Sequence, residues 1–422
     1  MGILEETDRS GDARALPLAG VRVCDFTWIV AGPQATRILA DLGADVVKVE
    51  NESYLDSMRL GLQIPGAPPS VNGSGFHNNF NRNKRGITAN LHHPKGREAA
   101  ERLIARSDIV IENFSAGAFE RMGFGWERLQ ELNPDAIYIS LSGFGQTGRD
   151  REYITWGPTA AAVSGATQMS GLPDEDPAGW GYSYLDHTAG YYGAIAALLA
   201  LQHRRRTGEA QHVDMAQIET GMVLTAVPVL DHQVNGRAYT RIGNRSEQPA
   251  IAPHGTYRCA ADAADDDRWI AIVAETKAQW AALCEVIGAP ELAEDDRFVS
   301  NESRKENEEA LDAEITERTR PREVRELMYA LQSRGVAAGM CQRTDDKMEG
   351  DEQLAWREFY RSAPHGELGE HRYEGYPAQF SDARWRMVRG APMVSEDSME
   401  VLTDLLGYSA DAIAEMMAEL AV

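Results

Sequence analysis

Cysteine is scarce in this chain: four residues in 422, at 24, 259, 284 and 341, with no paired spacing. That excludes a disulfide framework and a cysteine-based metal cluster, and the four read as reduced thiols of a cytoplasmic protein. Long apolar runs are missing as well. The longest candidate, 194–201, is far short of the ~20 residues a membrane helix needs, so no membrane partner is expected. Positive charge is short: 42 Lys and Arg stand against 65 Asp and Glu, a net charge of −23. Such a chain repels nucleic acid and anionic membranes, so an anionic ligand needs a local basic cluster or helix N-termini. The first fifteen residues are polar and acidic, without the apolar stretch of a signal peptide. No internal repeat, low-complexity tract or metal-ligand spacing is present.

What is present is the composition of a globular protein, 43% hydrophobic and 25% charged, over a length that suits two or three domains. Residues 20–26 and 44–50 are short apolar runs fit for buried parallel strands, and 34–42 between them is helical, with Gly43 as its stop. Strand, helix and strand over ~30 residues make a βαβ unit. A dinucleotide site is disfavoured there, because only Gly32 and Pro33 stand where the G-x-G-x-x-G turn would let a backbone approach a pyrophosphate.

Residues 51–79 read as a long loop, and 81–87 as a basic stretch that is either a solvated turn or an anion-contacting loop. Further strands are expected at 107–114 and 135–141, with helices at 94–105 and around Arg121 and Met122. Three strand ends, 27–32, 113–114 and 142–145, are polar or glycine-containing loops. In an open α/β sheet these face one cleft beyond the carboxyl ends of the strands. A strand and helix follow at 211–224, a loop at 241–257, a strand at 267–273 and a helix at 277–287. Charged helical segments at 303–330 belong to a smaller domain, 335–340 is the expected return point, and 398–420 reads as two amphipathic helices. The expected organisation is a large α/β domain at 1–225 with a doubly wound, mostly parallel, Rossmann-like sheet. A smaller α+β domain at 226–340 follows, and 341–422 returns to the first.

The segment 181–206 stands out. From Thr188 its Ala, Leu, Ile and Tyr content favours a helix of about four turns. Arg204, Arg205 and Arg206 in the last turn, and Gly208 after it, suit the helix dipole and the C-cap. Asp186 then falls just before the helix. It is either an N-cap, accepting hydrogen bonds from orphan amides, or a fixed ionised carboxylate that does chemistry beside them.

Five blocks of the sequence carry a resemblance: PLAGVRVCDFTWIVAGPQATRILADLGADVVKVE at 17–50, NRNKRGI at 81–87, IENFSAGAFERMGFGWERLQELNP at 111–134, ISLSGFGQTG at 139–148 and YLDHTAGYYGAIAALLALQHRRRTGEAQHVD at 184–214. In this order they resemble the class III CoA-transferases, the family of formyl-CoA and carnitine CoA-transferases. The resemblance implies an interlocked homodimer in which each subunit passes through the ring of the other. It implies that Asp186 is the nucleophile, passing through a mixed anhydride and an aspartyl-CoA thioester. It places Asn113, Phe114, Ala118, Arg121 and Met122 on CoA-contacting positions, with Ala31 and Ala89 lining the same ligand and Arg121 serving the phosphates. No tightly bound cofactor is implied; acyl-CoA and a small carboxylic acid are substrates.

Departures from the family are specific. His92 replaces a lysine that often contacts phosphate. Trp28 and Val30 replace the His and Gln of formyl-CoA transferase, and its glycine-rich loop is missing from 241–257, which argues against oxalate and formate. Trp28, Val30, Phe144 and Trp156, with Trp180 nearby, point instead to an apolar pocket for a bulky acyl group. α-Methylacyl-CoA racemases share this fold and pair a His with the aspartate. Here Trp156 stands where that His belongs, and His187 is merely adjacent to Asp186. A non-catalytic CoA-binding protein is the third alternative.

Overall fold

The computed structural model describes residues 15–65, 69–262 and 268–422. The acidic N-terminal stretch up to residue 14, and position 267 where a strand is expected to begin, lie outside the described residues. In chain order the elements are β1 (Arg22–Asp25), α1 (Ala31–Asp41), β2 (Asp45–Glu50), α2 (Gly75–Asn81), β3 (Arg85–Thr88), α3 (Pro94–Ile104), β4 (Ile109–Glu112), α4 (Ala118–Arg121), α5 (Trp126–Leu132) and β5 (Ile137–Ser142). Then come α6 (Gly157–Val163), α7 (Ala166–Met169), α8 (Tyr184–Thr207), β6 (His212–Ala216), α9 (Gln217–Leu224) and α10 (Ala226–Asn235).

The six strands form one sheet in the order β3-β2-β1-β4-β5-β6, and every pairing is parallel. This is the doubly wound order, and the strand order reverses between β1 and β4. Cys24 of β1 pairs with Val47 of β2 on one side and Val110 of β4 on the other. Period-two alternation splits each apolar run onto two faces. Ile109, Ile111, Ile137, Ile139 and Leu141 pack with Ala35, Leu39, Ala194, Ala197 and Leu201 of α1 and α8. Val110 and Tyr138 face the opposite way, onto α3 residues and the terminal helix Ala410–Ala418.

Two expectations are corrected in this part of the chain. Residues 51–79 are not a continuous loop: they hold a 3-10 turn, Ser57–Leu60, and the start of α2. Asp56 caps the first by accepting from Met58 N, and Ser74 caps the second by accepting from His77 N. Local side-chain caps thus make these turns without an apolar period to announce them. The basic stretch 81–87 is neither a solvated turn nor an anion loop, because Arg82 and Lys84 are fully buried. Arg82 pairs with Asp41 at 2.7 Å and Lys84 with Asp25 at 3.0 Å.

The chain divides into two compact units, one of residues up to Thr167 with Gly179–Arg237 and Gln353–Val422, the other of Gln168–Ala178 with Ala238–Glu352. The second holds the hairpin of β7 (Ser246–Glu247) and β8 (Ala250–Ile251), with β9 (His254–Cys259), β10 (Arg268–Val273) and β11 (Ala337–Met340) in an antiparallel sheet ordered β11-β10-β9. Residues 241–257, expected as loop, therefore carry strand. Residues 335–340, expected as the return point, end in an edge strand of this sheet. Trp280, Leu283, Leu311, Ile315, Leu327 and Leu331, from the helices α11 (Lys277–Val286), α13 (Glu308–Thr319) and α14 (Val324–Ser333), close its core; the short α12 (Asn301–Glu306) precedes α13. The mixture is α+β.

Candidate active site

At the sheet's reversal point the chain leaves β1 through Thr27, Trp28 and Ile29 before α1 begins. Three side chains hold that loop by its main chain. Asn113, just past β4, accepts from Trp28 N at 2.7 Å through Oδ1 and donates to Trp28 O at 2.9 Å through Nδ2. The Lys48 ammonium donates to Thr27 O at 2.6 Å, and both oxygens of Asp56 accept from Ile29 N at 3.2 Å. Ile29 has φ +64, a left-handed backbone that costs a β-branched residue about 1–2 kcal/mol and is held only by such ties.

Beyond this loop lies a cavity of about 200 Å³. Val30, Ala31, Phe114, Ile154, Trp156, Asp186 and Gln217 are among its lining residues, and the ends of β5 and β6 supply Ser142, Gly143 and Met215. Among the described lining residues Asp186 is the one carboxylate, and no Lys, Arg or His accompanies it.

Asp186 does not cap its helix. α8 begins at Tyr184, four residues before the expected start, with Ser183 at the N-cap, so Asp186 sits in the first turn of a 24-residue helix. Its Oδ1 accepts from Gln217 Nε2, and the Ser183 hydroxyl and the Gly157 amide lie near enough to favour its charged form. That amide is the first of α6, one of the orphan donors a helix leaves at its start. Burial pushes the Asp186 carboxyl above the usual aspartate range, and the bonds from Gln217, Ser183 and Gly157 partly offset this. A half-buried carboxylate with raised basicity, held by the Gln217 amide, can attack an electrophilic carbon in the cavity. Gly157 is required by close approach: a Cβ there would lie 2.6 Å from Asp186 Oδ2.

Of the residues singled out by sequence, Val30, Ala31, Asn113, Phe114, Trp156 and Asp186 meet around this cavity, Trp156 at a rim where it is 60% exposed. Trp28 lies outside the lining, its ring 5.3 Å from Tyr54 and 6.1 Å from Phe114. Phe144 packs edge-on against Tyr153 at 5.7 Å. Ala89 is buried among core residues, Met122 packs on the same core, and Ala118 and Arg121 lie on α4 with the Arg121 guanidinium donating to Ala116 O. Trp180 is exposed and its ring lies 4.4 Å from that of Tyr184. His92 is exposed. His187 faces Phe80 and Tyr182, with ring centroids 5.4 and 5.6 Å away, and burial with Arg37 nearby lowers its basicity.

Sequence reasoning missed Gln217, Ser183, Gly157 and Thr155. Gln217 was within reach of the same argument that found the other loops, because it directly follows a strand end, that of β6.

A parallel α/β sheet with a carboxylate in a cavity at its reversal point defines a doubly wound α/β protein with a ligand site where such folds bind their ligands. The chain belongs to CoA-transferase family III, whose profile matches residues 18–398. It is 33% identical over 403 residues, 96% of this chain and 97% of the relative, to the succinyl-CoA–D-citramalate CoA-transferase of Chloroflexus aurantiacus. It is 32% identical over 351 residues, 82% of this chain and 84% of the relative, to the succinate–glutarate CoA-transferase of Agrobacterium fabrum. A crystal structure of a CaiB/BaiF family protein from Brucella suis superposes with a TM-score of 0.83 at 31% identity, covering 93% of this chain and all of that one. The protein is a CoA-transferase, and acyl-CoA and carboxylic acids suit it as substrates.

Proposed function

We propose that the enzyme moves CoA from an acyl-CoA donor to a free carboxylic acid through a covalent intermediate on Asp186. The observation that carries this is the Asp186 carboxylate itself, the one carboxylate of the described cavity lining, held by the Gln217 amide. Fixing it against a bound thioester replaces a bimolecular encounter, a gain of as much as ~7–11 kcal/mol. The CoA chain runs along 113–122, where Phe114 offers an apolar face and the Arg121 guanidinium suits phosphate. The acyl group is bulky or apolar, since Val30, Ile154, Trp156 and Met215 share the lining with the carboxylate and no Lys, Arg or His stands among the described lining residues to meet a second carboxylate. The racemase alternative is not favoured, because proton exchange needs a second titratable group and His187 lies outside the lining.

The working unit is a homodimer of interlocked chains, in the cytoplasm, as four unpaired cysteines suit. α10 buries none of its residues within the chain, and a cavity of about 1350 Å³ walled by Arg361, Trp385 and Arg386 has room for a segment of a second copy.

The test incubates the protein with a panel of apolar and dicarboxylic acyl-CoAs, quenches with hydroxylamine and maps the modified peptide. An adduct at Asp186 is expected, formed faster from apolar donors and absent in Asp186→Ala together with all transfer. No adduct at Asp186, or full transfer by the variant, rejects the mechanism; a tenfold preference for succinyl-CoA rejects the apolar pocket alone.

A further inference from the structure

Gln217 is the first residue of α9, and its side chain is almost wholly buried. Its Nε2 donates to Asp186 Oδ1. An amide could present either end to a neighbour, and here the carboxylate decides which: ionised Asp186 only accepts, so the NH₂ end faces its Oδ1, and the carbonyl end is left to accept from Thr155 Oγ1 at 3.2 Å. Thr155 is itself confined, because it packs on the bare Cα of Gly143; a Cβ there would fall 2.1 Å from Thr155 Oγ1. Gly143 in turn accepts from Ile218 N at 3.1 Å, next to Gln217, and Ser142 pairs with Ala216 across β5 and β6. The Gly143, Thr155 and Gln217 chain is thus tied to two sheet ends.

We propose that the Gln217 amide is a catalytic oxyanion donor for the carbonyl of Asp186 itself, and that Thr155 is the positioning residue that aims it. The proposal rests on the covalent reading of Asp186. One Asp186 oxygen adds to the acyl carbon of the donor thioester; the C–S bond breaks, CoA leaves as thiolate, and a mixed anhydride remains. The thiolate adds to Cγ of Asp186, and the carbonyl π pair moves onto Oδ1. Collapse of this intermediate breaks the bond from Cγ to the bridging oxygen, releases the donor acid as its carboxylate and leaves the aspartyl-CoA thioester. The acceptor carboxylate then adds to the same carbon, Oδ1 carries the charge again, and the CoA thiolate departs. The thiolate finally attacks the acceptor acyl carbon of the new anhydride and frees Asp186 as carboxylate. In the two middle steps Oδ1 holds a full negative charge, where the resting carboxylate spreads one charge over two oxygens. A fixed donor at Oδ1 therefore binds those transition states more tightly than the ground state, which is the condition for raising the rate.

The experiment follows aspartyl-CoA formation by rapid-quench mass spectrometry, on mixing enzyme with butyryl-CoA and no acceptor. In Gln217→Ala the adduct is expected to form about 10²–10³-fold more slowly, the loss typical of one oxyanion donor, with the donor KM unchanged. Thr155→Val, which keeps Gln217 and removes only its anchor, is expected to lose about tenfold, with the acid limb of the rate profile moved to higher pH, and Thr155→Ser to recover most of it. Adduct formation at the wild-type rate in Gln217→Ala overturns the proposal, as does a Thr155→Val variant indistinguishable from wild type in rate and pH profile. Should Gln217→Ala not fold, the Thr155 pair decides alone. Absence of any adduct in the wild type would instead reject the covalent reading, so the two failures are told apart.

Discussion

At the scale of single residues, position relative to a helix end decides what a carboxyl does. Asp186 reads as a cap because helix-favouring residues run on from Thr188, yet Ser183 and Asp186 stand at the Ser-x-x-acid spacing that marks a helix start at Tyr184, four residues earlier. That signal was legible; the donors Gln217 and Gly157 were not, since nothing in their own segments says which carboxylate they will meet. Glu112 shows the other outcome of burial. It is buried at the end of β4, where Oε1 accepts from Tyr138 Oη at 3.1 Å and Oε2 from Phe114 N at 2.7 Å. Burial pushes its carboxyl up to about 8, despite these bonds, from an ordinary 4.5. The native state thus keeps a proton that the unfolded chain has lost, so this residue's contribution to stability is present below the ordinary value and is lost as pH rises to about 8, by about 1.4 kcal/mol per pH unit. Glu112→Gln should remove that slope: urea midpoints of variant and wild type should be close at pH 5 and diverge in favour of the variant by pH 8. Parallel curves would show that Glu112 is ionised in the fold.

At the scale of elements, the loop from β1 to α1 is shaped by charges that lie far away in the sequence. The basic stretch at 81–87 reads as exposed because its partners are distant; Arg82 meets Asp41 from α1, and Lys84 meets Asp25 from β1. Burial raises and Lys84, Lys48, Thr27 and Thr36 lower the Asp25 carboxyl, which ends below its usual range, while burial pulls the Lys84 ammonium down to about 8. Lys48 and Asp56 belong to the same buried layer, 3.4 Å apart, and both touch the strained loop. Asp56→Ala should therefore do two things. It should leave Lys48 without its nearest counter-charge, costing about 3–5 kcal/mol in urea unfolding, and it should free Ile29 from its left-handed conformation, lowering kcat. A variant of wild-type stability would show that Lys48 is neutral or hydrated there.

At the scale of the whole molecule, the exposed helix α10 sets the prediction. Val227 and Val234 are 71% and 79% exposed, and Val229 and Leu230 accompany them on a helix that buries nothing within its own chain. Apolar surface of that kind is covered in a working protein. If the proposed homodimer uses this face, Val227→Asp with Val234→Asp should shift the mass by light scattering from that of a dimer toward the 46.4 kDa of one chain at micromolar concentration. An unchanged dimer would place the interface elsewhere.

What the sequence determined by itself was the parallel α/β layer and the loops that gather at its carboxyl edge, because period-two and period-3.6 apolar patterns are local properties of a chain. The five family blocks added the class of enzyme. Only the tertiary structure decided which polar groups meet: Gln217 with Asp186 across 31 residues, Asn113 with Trp28 across 85, and Lys84 with Asp25 under the loop. Buried polar groups must find partners, but hydrogen bonds and ion pairs leave no periodicity behind, so their choice of partner is written in the packing of the sheet and not in the spacing of residues.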